Sequence, residues 1–492
     1  MKYFKIIIAA FVTSPVILTS CQSSGESKSA TTEDALRPNI ILILTDDHGY
    51  ADVGFNGSKD IITPNLDTLA KKGTMFSSAY VVHPFCGPSR AGLLTGRYPH
   101  KFGSQFNLPR TGQMSPGPDA GIPLKEIFFT KVLQEAGYKT GAVGKWHLGK
   151  AAEHHPNNKG FDDFYGFLGG GHKYFPEQYK AAYARQKKNG LDPIWDYLTP
   201  LEHNGQEVST DKYMTDELSD EAVRFVKESA GSKNPFFMYL AYNAPHVPLE
   251  AKEEDLALFS EILDMDRRTY AAMVYAVDRG VGKLVETLKE TKQYENTLIV
   301  FLSDNGGNTE HGANNYPLRE GKGSTYEGGF RVPMFFHYPN KIQAGKTFEY
   351  AVSAIDFYPT FLRLAGVKAP ANKQLDGIDV WDAVTLLTDP KRSDLIYALR
   401  HRNGYSDVAA RENNWKVVRT QEKKWELYNV ETDPGETSDL SSENPEVVEK
   451  LVSQARKWSE SNVQPKWFHD EATGEEWRKF DMPRFEETFK IE

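Results

Sequence analysis

The sequence predicts an α/β protein: a large mixed, mainly parallel sheet sandwiched by helices, with a smaller C-terminal α+β subdomain carrying an antiparallel sheet. Three observations carry that prediction. Unbroken apolar runs at residues 40–44, 236–240 and 298–302 read as strands buried on both faces, the pattern of a parallel sheet. Helical periodicity lies between them, at its longest over residues 267–291, where Tyr270, Met273, Val274, Val277, Val281, Leu284 and Leu288 share one face. From about residue 391 the pattern changes to short strands and turns, with residues 405–418 and 425–430 antiparallel around a turn at 421–424.

Taken in order, residues 1–20 read as an export signal, because Lys2 and Lys5 precede an apolar run from Ile6 to Leu18. Leu18-Thr19-Ser20-Cys21 resembles a bacterial lipobox, which implies lipidation of Cys21 and an exported lipoprotein of the outer membrane, facing the periplasm or the cell surface. Residues 21–36, rich in Ser, Thr and Glu, read as a flexible tether. No other stretch reaches the ~18 apolar residues of a membrane span, so the membrane is met by the lipid anchor only. The main domain is expected over 37–390 and the C-terminal subdomain over 391–492. Formal net charge is −9, and removing residues 1–20 takes two lysines and no acids. That balance excludes nucleic acid as a partner and requires any polyanionic substrate to meet a local basic pocket. The chain has two cysteines. With Cys21 lipidated and Cys86 engaged in chemistry, none remains for a disulfide.

The run at 40–44 ends in Thr45-Asp46-Asp47-His48-Gly49, and the run at 298–302 ends in Ser303-Asp304-Asn305-Gly306-Gly307. Carboxylates at the end of a buried strand are costly without a cation. Asp46, Asp47, Asp304 and Asn305 form an all-oxygen set, which favours Ca²⁺ or Mg²⁺ over Zn²⁺. Thr63 is expected to cap a helix opened by Pro64, and Pro123 to open another through Leu124, Ile127, Phe128, Val132 and Leu133 until Gly137. Residues 212–229 and 445–459 are further helices, and the tail beyond them reads as irregular.

Four stretches carry chemistry. Residues 85–97 place Cys86 near a helix N-terminus, with Arg90 one turn on and able to fold back toward it. In 137–147, Lys145 and His147 are two apart, so an extended segment points both to one side, a fixed cation beside a titratable imidazole. His246 sits between prolines in 243–248, and Lys322 ends the segment 317–322. The tract Gly169-Gly170-Gly171-His172-Lys173-Tyr174-Phe175 reads either as a sugar-binding wall using His172 and Lys173 or as a glycine-rich surface loop.

Cys86, Pro88, Ser89, Arg90, Leu93, Thr95, Gly96 and Arg97 resemble the first signature of the sulfatase family, and residues 137–147 resemble its second. The resemblance spans roughly residues 37–440, with the core motifs in order. It implies an alkaline-phosphatase-like fold. It implies that a maturation enzyme oxidises Cys86 to formylglycine (3-oxoalanine), whose hydrate is the nucleophile and a further metal ligand. A serine would form a sulfate ester about as stable as the substrate, whereas a gem-diol can collapse to the aldehyde and expel sulfate. By the same resemblance, Asp46, Asp47, Asp304 and Asn305 hold the divalent ion, calcium before magnesium. Arg90, Lys145 and Lys322 neutralise the sulfuryl oxygens, Asp304 deprotonates the attacking hydroxyl, His246 protonates the leaving alcohol, and His147 assists elimination. Glu320 stands where relatives often carry a small residue. Likeness to exported sulfatases of marine Bacteroidetes implies a sulfated algal polysaccharide or its oligosaccharides, ulvan first, carrageenan second and host glycosaminoglycans third. A phosphonate or phosphate ester hydrolase on the same scaffold and a catalytically inactive glycan-binding lipoprotein are the alternatives.

Overall fold

The computed structural model describes Met1 and residues 37–109, 120–190, 197–402, 404–421, 424–480 and 488–491. The remainder of the export signal, Cys21 and the tether lie outside the described residues. Among the described residues no helix is long and apolar enough to cross a membrane.

Sixteen strands are present among them. In chain order they are β1 (Asn39–Thr45), β2 (Thr74–Phe76), β3 (Ala79–Tyr80), β4 (Lys139–Lys145), β5 (Asp163–Phe167), β6 (Leu201–His203), β7 (Gln206–Val208) and β8 (Phe236–Ala241). There follow β9 (Thr297–Ser303), β10 (Met334–His337), β11 (Lys346–Phe348), β12 (Val352–Ser353), β13 (Ile396–His401), β14 (Ser406–Glu412), β15 (Trp415–Arg419) and β16 (Glu426–Asn429). Ten of them form one sheet in the order β11-β2-β10-β9-β1-β8-β4-β5-β6-β7. Strands β9, β1, β8, β4 and β5 are mutually parallel, while β10 runs antiparallel to β9 and β6 to β5. Strands β3 and β12 pair separately, and β13 to β16 make an antiparallel four-stranded sheet.

Successive side chains of a strand leave by opposite faces, and β1 shows the result. Ile40, Leu42 and Leu44 join one core with the helices Cys86–Thr95, Phe129–Glu135 and Phe357–Leu364, and the C-terminal sheet continues that core. Ile41 and Ile43 join the other core, beneath the helices Pro64–Lys71, Met214–Ser229 and Met265–Glu290. This is the mainly parallel, helix-covered sheet with a C-terminal antiparallel sheet that the apolar runs predict.

Four local expectations are corrected. Thr63 occupies the N-cap position, but its hydroxyl accepts from the Gly54 amide and donates to Asp67. The amides of Asn65 and Leu66 are satisfied instead by Asp278, from the opposite helix, at 3.2 and 2.8 Å. Pro123 opens only a turn, closed by the Glu126 amide, and the helix begins at Phe129. The Ile122 amide is held by the Leu148 carbonyl, and Leu124, assigned to a helical face, is 61 % exposed. The stretch 405–418 is two strands, broken at Asn413, whose φ is +53°. The tail carries a helix, Glu471–Lys479.

The C-terminal sheet is fastened by a buried ionic cluster. Lys416 Nζ on β15 lies 2.9 Å from Glu327 and 2.8 Å from Glu436, and all three side chains are inaccessible. Glu327 also accepts from Tyr80 at 2.6 Å, and its amide donates to Glu436 at 2.7 Å. Burial pushes the Glu436 carboxyl up to about 7, opposed by Lys416 and reinforced by the charge of Glu327. Removing one partner of such a set leaves buried charge uncompensated. Lys416→Met is therefore expected to cost about 3–5 kcal/mol, read as a melting temperature several degrees lower. An unchanged melting curve would contradict the fastening.

Candidate active site

Four adjacent parallel strands, β9, β1, β8 and β4, end at one edge of the sheet, where side chains in such folds converge. The hydrogen bonding runs on past their ends: the Asp46 amide donates to Ala244 O, and the Asp304 amide to Thr45 O. The stretches after them, so brought together, carry Asp46 and Asp47, Asp304 and Asn305, and His246, and β4 itself ends at Lys145, with His147 two residues on.

Cys86 begins the helix Cys86–Thr95 and is 3 % exposed. The signature around it is partly explained by packing. Gly96 adopts φ +65° and ends the helix with its amide on Gly92 O. A Cβ on Gly92 would lie 2.4 Å from Val82. Arg97 pairs with Glu126 at 2.6 Å. Arg90 carries the chemistry: its Nε donates to Asp304 at 2.8 Å, and Nη1 donates to Lys145 O at 3.1 Å and reaches the Tyr239 hydroxyl at 3.4 Å. Burial pushes the Cys86 thiol up, against the pull of Lys145 and Lys322.

The acids and cations match one for one. Lys145 Nζ is 2.5 Å from Asp46 Oδ2, Lys322 Nζ is 2.7 Å from Asp47 Oδ1, and Arg90 holds Asp304. Burial works to raise the Asp46 carboxyl, but Lys145, His246, Arg90 and Lys322 outweigh it and hold it well below the usual carboxylate range. Asp304 moves the other way: burial and the Asp46 charge push it up to about 6 despite Arg90.

His246 Nδ1 faces Val247 O at 2.7 Å, which leaves Nε2 to point at Asp47 Oδ2, 3.7 Å away. Its loop is held by Tyr174, whose hydroxyl reaches both Asn243 O and His246 O at 2.8 Å. Burial lowers the His246 imidazole, with Asp46 opposing. His147 is lowered further, by burial and then by Lys145 and Arg90. It does not reach the site by strand alternation: β4 has ended, and His147 has φ +61°.

The glycine tract is corrected. His172 is fully buried, with Nδ1 2.7 Å from Lys173 O and Nε2 2.9 Å from Thr199 O, so it cannot contact a substrate. Lys173 pairs with Glu250 at 3.0 Å. The tract is a floor beneath His147, since a Cβ on Gly170 would lie 2.7 Å from His147 Nε2. Sequence reasoning missed Tyr239, Tyr174 and Asn107, whose side chain accepts from the Gly87 amide at 3.0 Å. Asn107 stands in no recognisable motif, and only the fold brings it to Cys86.

The sequence profile described as Sulfatase matches residues 38–367. The chain belongs to the sulfatase family. It is accordingly a sulfuric ester hydrolase. A profile described as N-sulphoglucosamine sulphohydrolase, C-terminal, matches residues 321–461. Arylsulfatase J of Mus musculus is 31% identical over 490 residues, covering 89% of this chain and 78% of its own. A sulfatase of Formosa agariphila is 31% identical over 544 residues, covering 94% of this chain and 95% of its own. The crystal structure of Ps i-CgsB in complex with k-i-k-neocarrahexaose is similar with a TM-score of 0.90 and 58% identity, covering 92% of this chain and 100% of that one.

Sulfatases in general use a formylglycine and a divalent metal, and this site fits both. Oxygens of Asp46 and Asp304 and the Cys86 sulfur lie within 4.8 Å of one another. That sulfur marks where an oxygen of a hydrated formylglycine would stand. Asp46 Oδ1 and Asn305 Oδ1 are buried without a hydrogen-bond partner, as atoms reserved for a cation would be. Gly170→Ala is expected to displace the His147 ring and lower sulfate-ester turnover by about 10–100-fold with little change in melting temperature. Unchanged turnover would show that the position of His147 does not matter.

Proposed function

We propose that this sulfatase removes sulfate from carrageenan-type oligosaccharides, using a formylglycine at position 86 and a calcium ion. The observation that carries the reading is the cluster of three buried carboxylates around Cys86, each paired with a cation of which Arg90 and Lys145 are fully buried. Support for the substrate comes from the 58% identity to Ps i-CgsB, whose structure holds neocarrahexaose, a carrageenan oligosaccharide by its name. On the motifs alone ulvan ranks above carrageenan; this likeness reverses that order.

Asp46, Asp47, Asp304 and Asn305 would hold the calcium ion, since hard oxygen donors suit it. When bound, the ion supplies positive charge to the sulfuryl oxygens, and the hydrated formylglycine supplies an oxygen nucleophile that can release sulfate again. Arg90, Lys145 and Lys322 complete the positive surround. His246, its Nδ1–H committed to Val247 O, takes up a second proton on Nε2 when the anionic ester binds and delivers it to the departing sugar oxygen. Asp304, beside Cys86, takes the proton of the attacking hydroxyl, and His147 assists elimination. Residues 37–390 form the catalytic domain on this reading, with 391–492 as its C-terminal subdomain. Residues 1–21 support an exported lipoprotein anchored through Cys21.

Protein made with a formylglycine-generating enzyme is expected to yield a Cys86 peptide about 18 Da lighter than the thiol form. Cys86→Ser is expected to release no sulfate from carrageenan oligosaccharides. An unmodified thiol in fully active protein would overturn the nucleophile. Removing divalent ions with a chelator is expected to abolish turnover and lower the melting temperature, with calcium restoring both better than magnesium. Activity that survives exhaustive chelation would exclude the metal assignment.

A further inference from the structure

Next to the site lies a cavity of about 370 Å³ whose lining includes His83, Phe85, Phe106, Asn107, Arg400 and Tyr405. It adjoins the catalytic groups through the chain itself. Phe85 precedes Cys86, and Asn107 holds the Gly87 amide. Arg400, at the end of the C-terminal strand β13, donates from Nη1 to the carbonyl of Gly323, the residue after Lys322. Its guanidinium carbon lies 4.6 Å from the centroid of the Phe85 ring. The Gly323 amide in turn donates to Pro84 O at 2.9 Å. Arg400 is thus clasped between the segments that present the nucleophile and Lys322.

Its charge is not balanced by a neighbour. Among the described residues Arg400 forms no ion pair; its hydrogen-bond partner is a carbonyl. Arg402 takes Asp407, and Glu320 accepts from Ser324 at 2.5 Å. A guanidinium has five N–H donors in a planar fork suited to an oxyanion, so donors remain. His83 Nδ1 accepts from the Phe85 amide at 3.1 Å and braces the segment that leads to Cys86. Phe85, Phe106 and Tyr405 add aromatic surface of the kind sugar rings stack on.

We propose that this cavity receives a second sulfate ester of the same glycan, carried on the sugar next to the one being desulfated, with Arg400 as its receptor. The inference rests on the sulfated-glycan reading above and adds a requirement to it: the enzyme selects oligosaccharides sulfated on neighbouring sugars. Charge-assisted, two-pronged contacts of this type separate substrates by at least about tenfold.

The test compares two carrageenan oligosaccharides matched except for the sulfate on the neighbouring sugar, using protein with residue 86 converted. The parent is expected to prefer the doubly sulfated substrate by at least about tenfold in kcat/KM, mostly through KM. Arg400→Gln is expected to erase that preference, and Arg400→Lys to keep part of it. In the parent alone, rising salt is expected to erode the preference, a readout that holds even if a variant misfolds. A parent without preference, a preference indifferent to salt, or an Arg400→Gln variant that loses equally on both substrates would each overturn the proposal. Converted protein that releases sulfate from neither oligosaccharide would instead overturn the carrageenan reading.

Discussion

Three carboxylates at one edge of a sheet cannot be buried without compensation, and the arrangement of this molecule follows from how they are compensated. Desolvating an ion costs several kcal/mol even after relaxation. Asp46, Asp47 and Asp304 are all buried, and each is matched to a cation from a different part of the chain. Lys145 comes from the end of β4, Arg90 from the helix that begins at Cys86, and Lys322 from a loop more than two hundred residues further on. The Cys86 helix, the sheet edge and the Lys322 loop are therefore positioned by the same set of charges. With the acids and cations equal in number, a divalent ion would leave the site positive, the state suited to an anionic ester.

Those cations also set the condition of the histidines. His147 and His246 are both buried and both pushed toward the neutral form, first by desolvation and then by neighbouring positive charge, with Asp46 and, for His246, Asp47 opposing. A neutral imidazole beside fixed cations gains a proton only when negative charge arrives. A bound sulfate ester is such a charge. On the roles proposed above, proton delivery by His246 would follow occupancy of the site.

The buried parallel strands were legible because unbroken apolar runs have few other uses, and the convergence of Asp46, Asp47, Asp304 and Asn305 was legible because both pairs directly follow such runs. Other inferences placed a residue in the cluster for the wrong reason. Lys145 and His147 were aligned by strand alternation, yet the strand stops at Lys145 and a left-handed residue, which no periodicity announces, turns His147 away from it. Helix starts misled where a better partner lay elsewhere in the fold: Asp278 caps the helix at Pro64 in place of Thr63, and Pro123 follows a residue bridged to Leu148 and opens only a turn. The glycine tract offered two readings, wall or loop, and is neither. At Gly170 its backbone lies so close to the His147 ring that a Cβ would collide. Arg400 was illegible because nothing local marks it; its relation to Cys86 exists only once the C-terminal sheet is docked.

That docking bears on how an acidic protein handles a polyanion. The formal net charge of −9 works against a sulfated polymer at long range. At physiological salt, however, exposed charges are screened beyond about 8 Å. What a substrate meets on arrival is the local field, and at this edge of the sheet it is made by Arg90, Lys145, Lys322 and Arg400. Three of these face buried carboxylates and are already committed, whereas Arg400 is held by a carbonyl and an aromatic ring. The C-terminal sheet thus contributes the one of these four cations that faces no carboxylate among the described residues. Its ionic fastening through Lys416, Glu327 and Glu436 ties the sheet that carries that cation to the segment following Lys322. In this molecule selectivity is built by contact rather than by steering, and the subdomain that lies far from Cys86 in sequence is the part that supplies it.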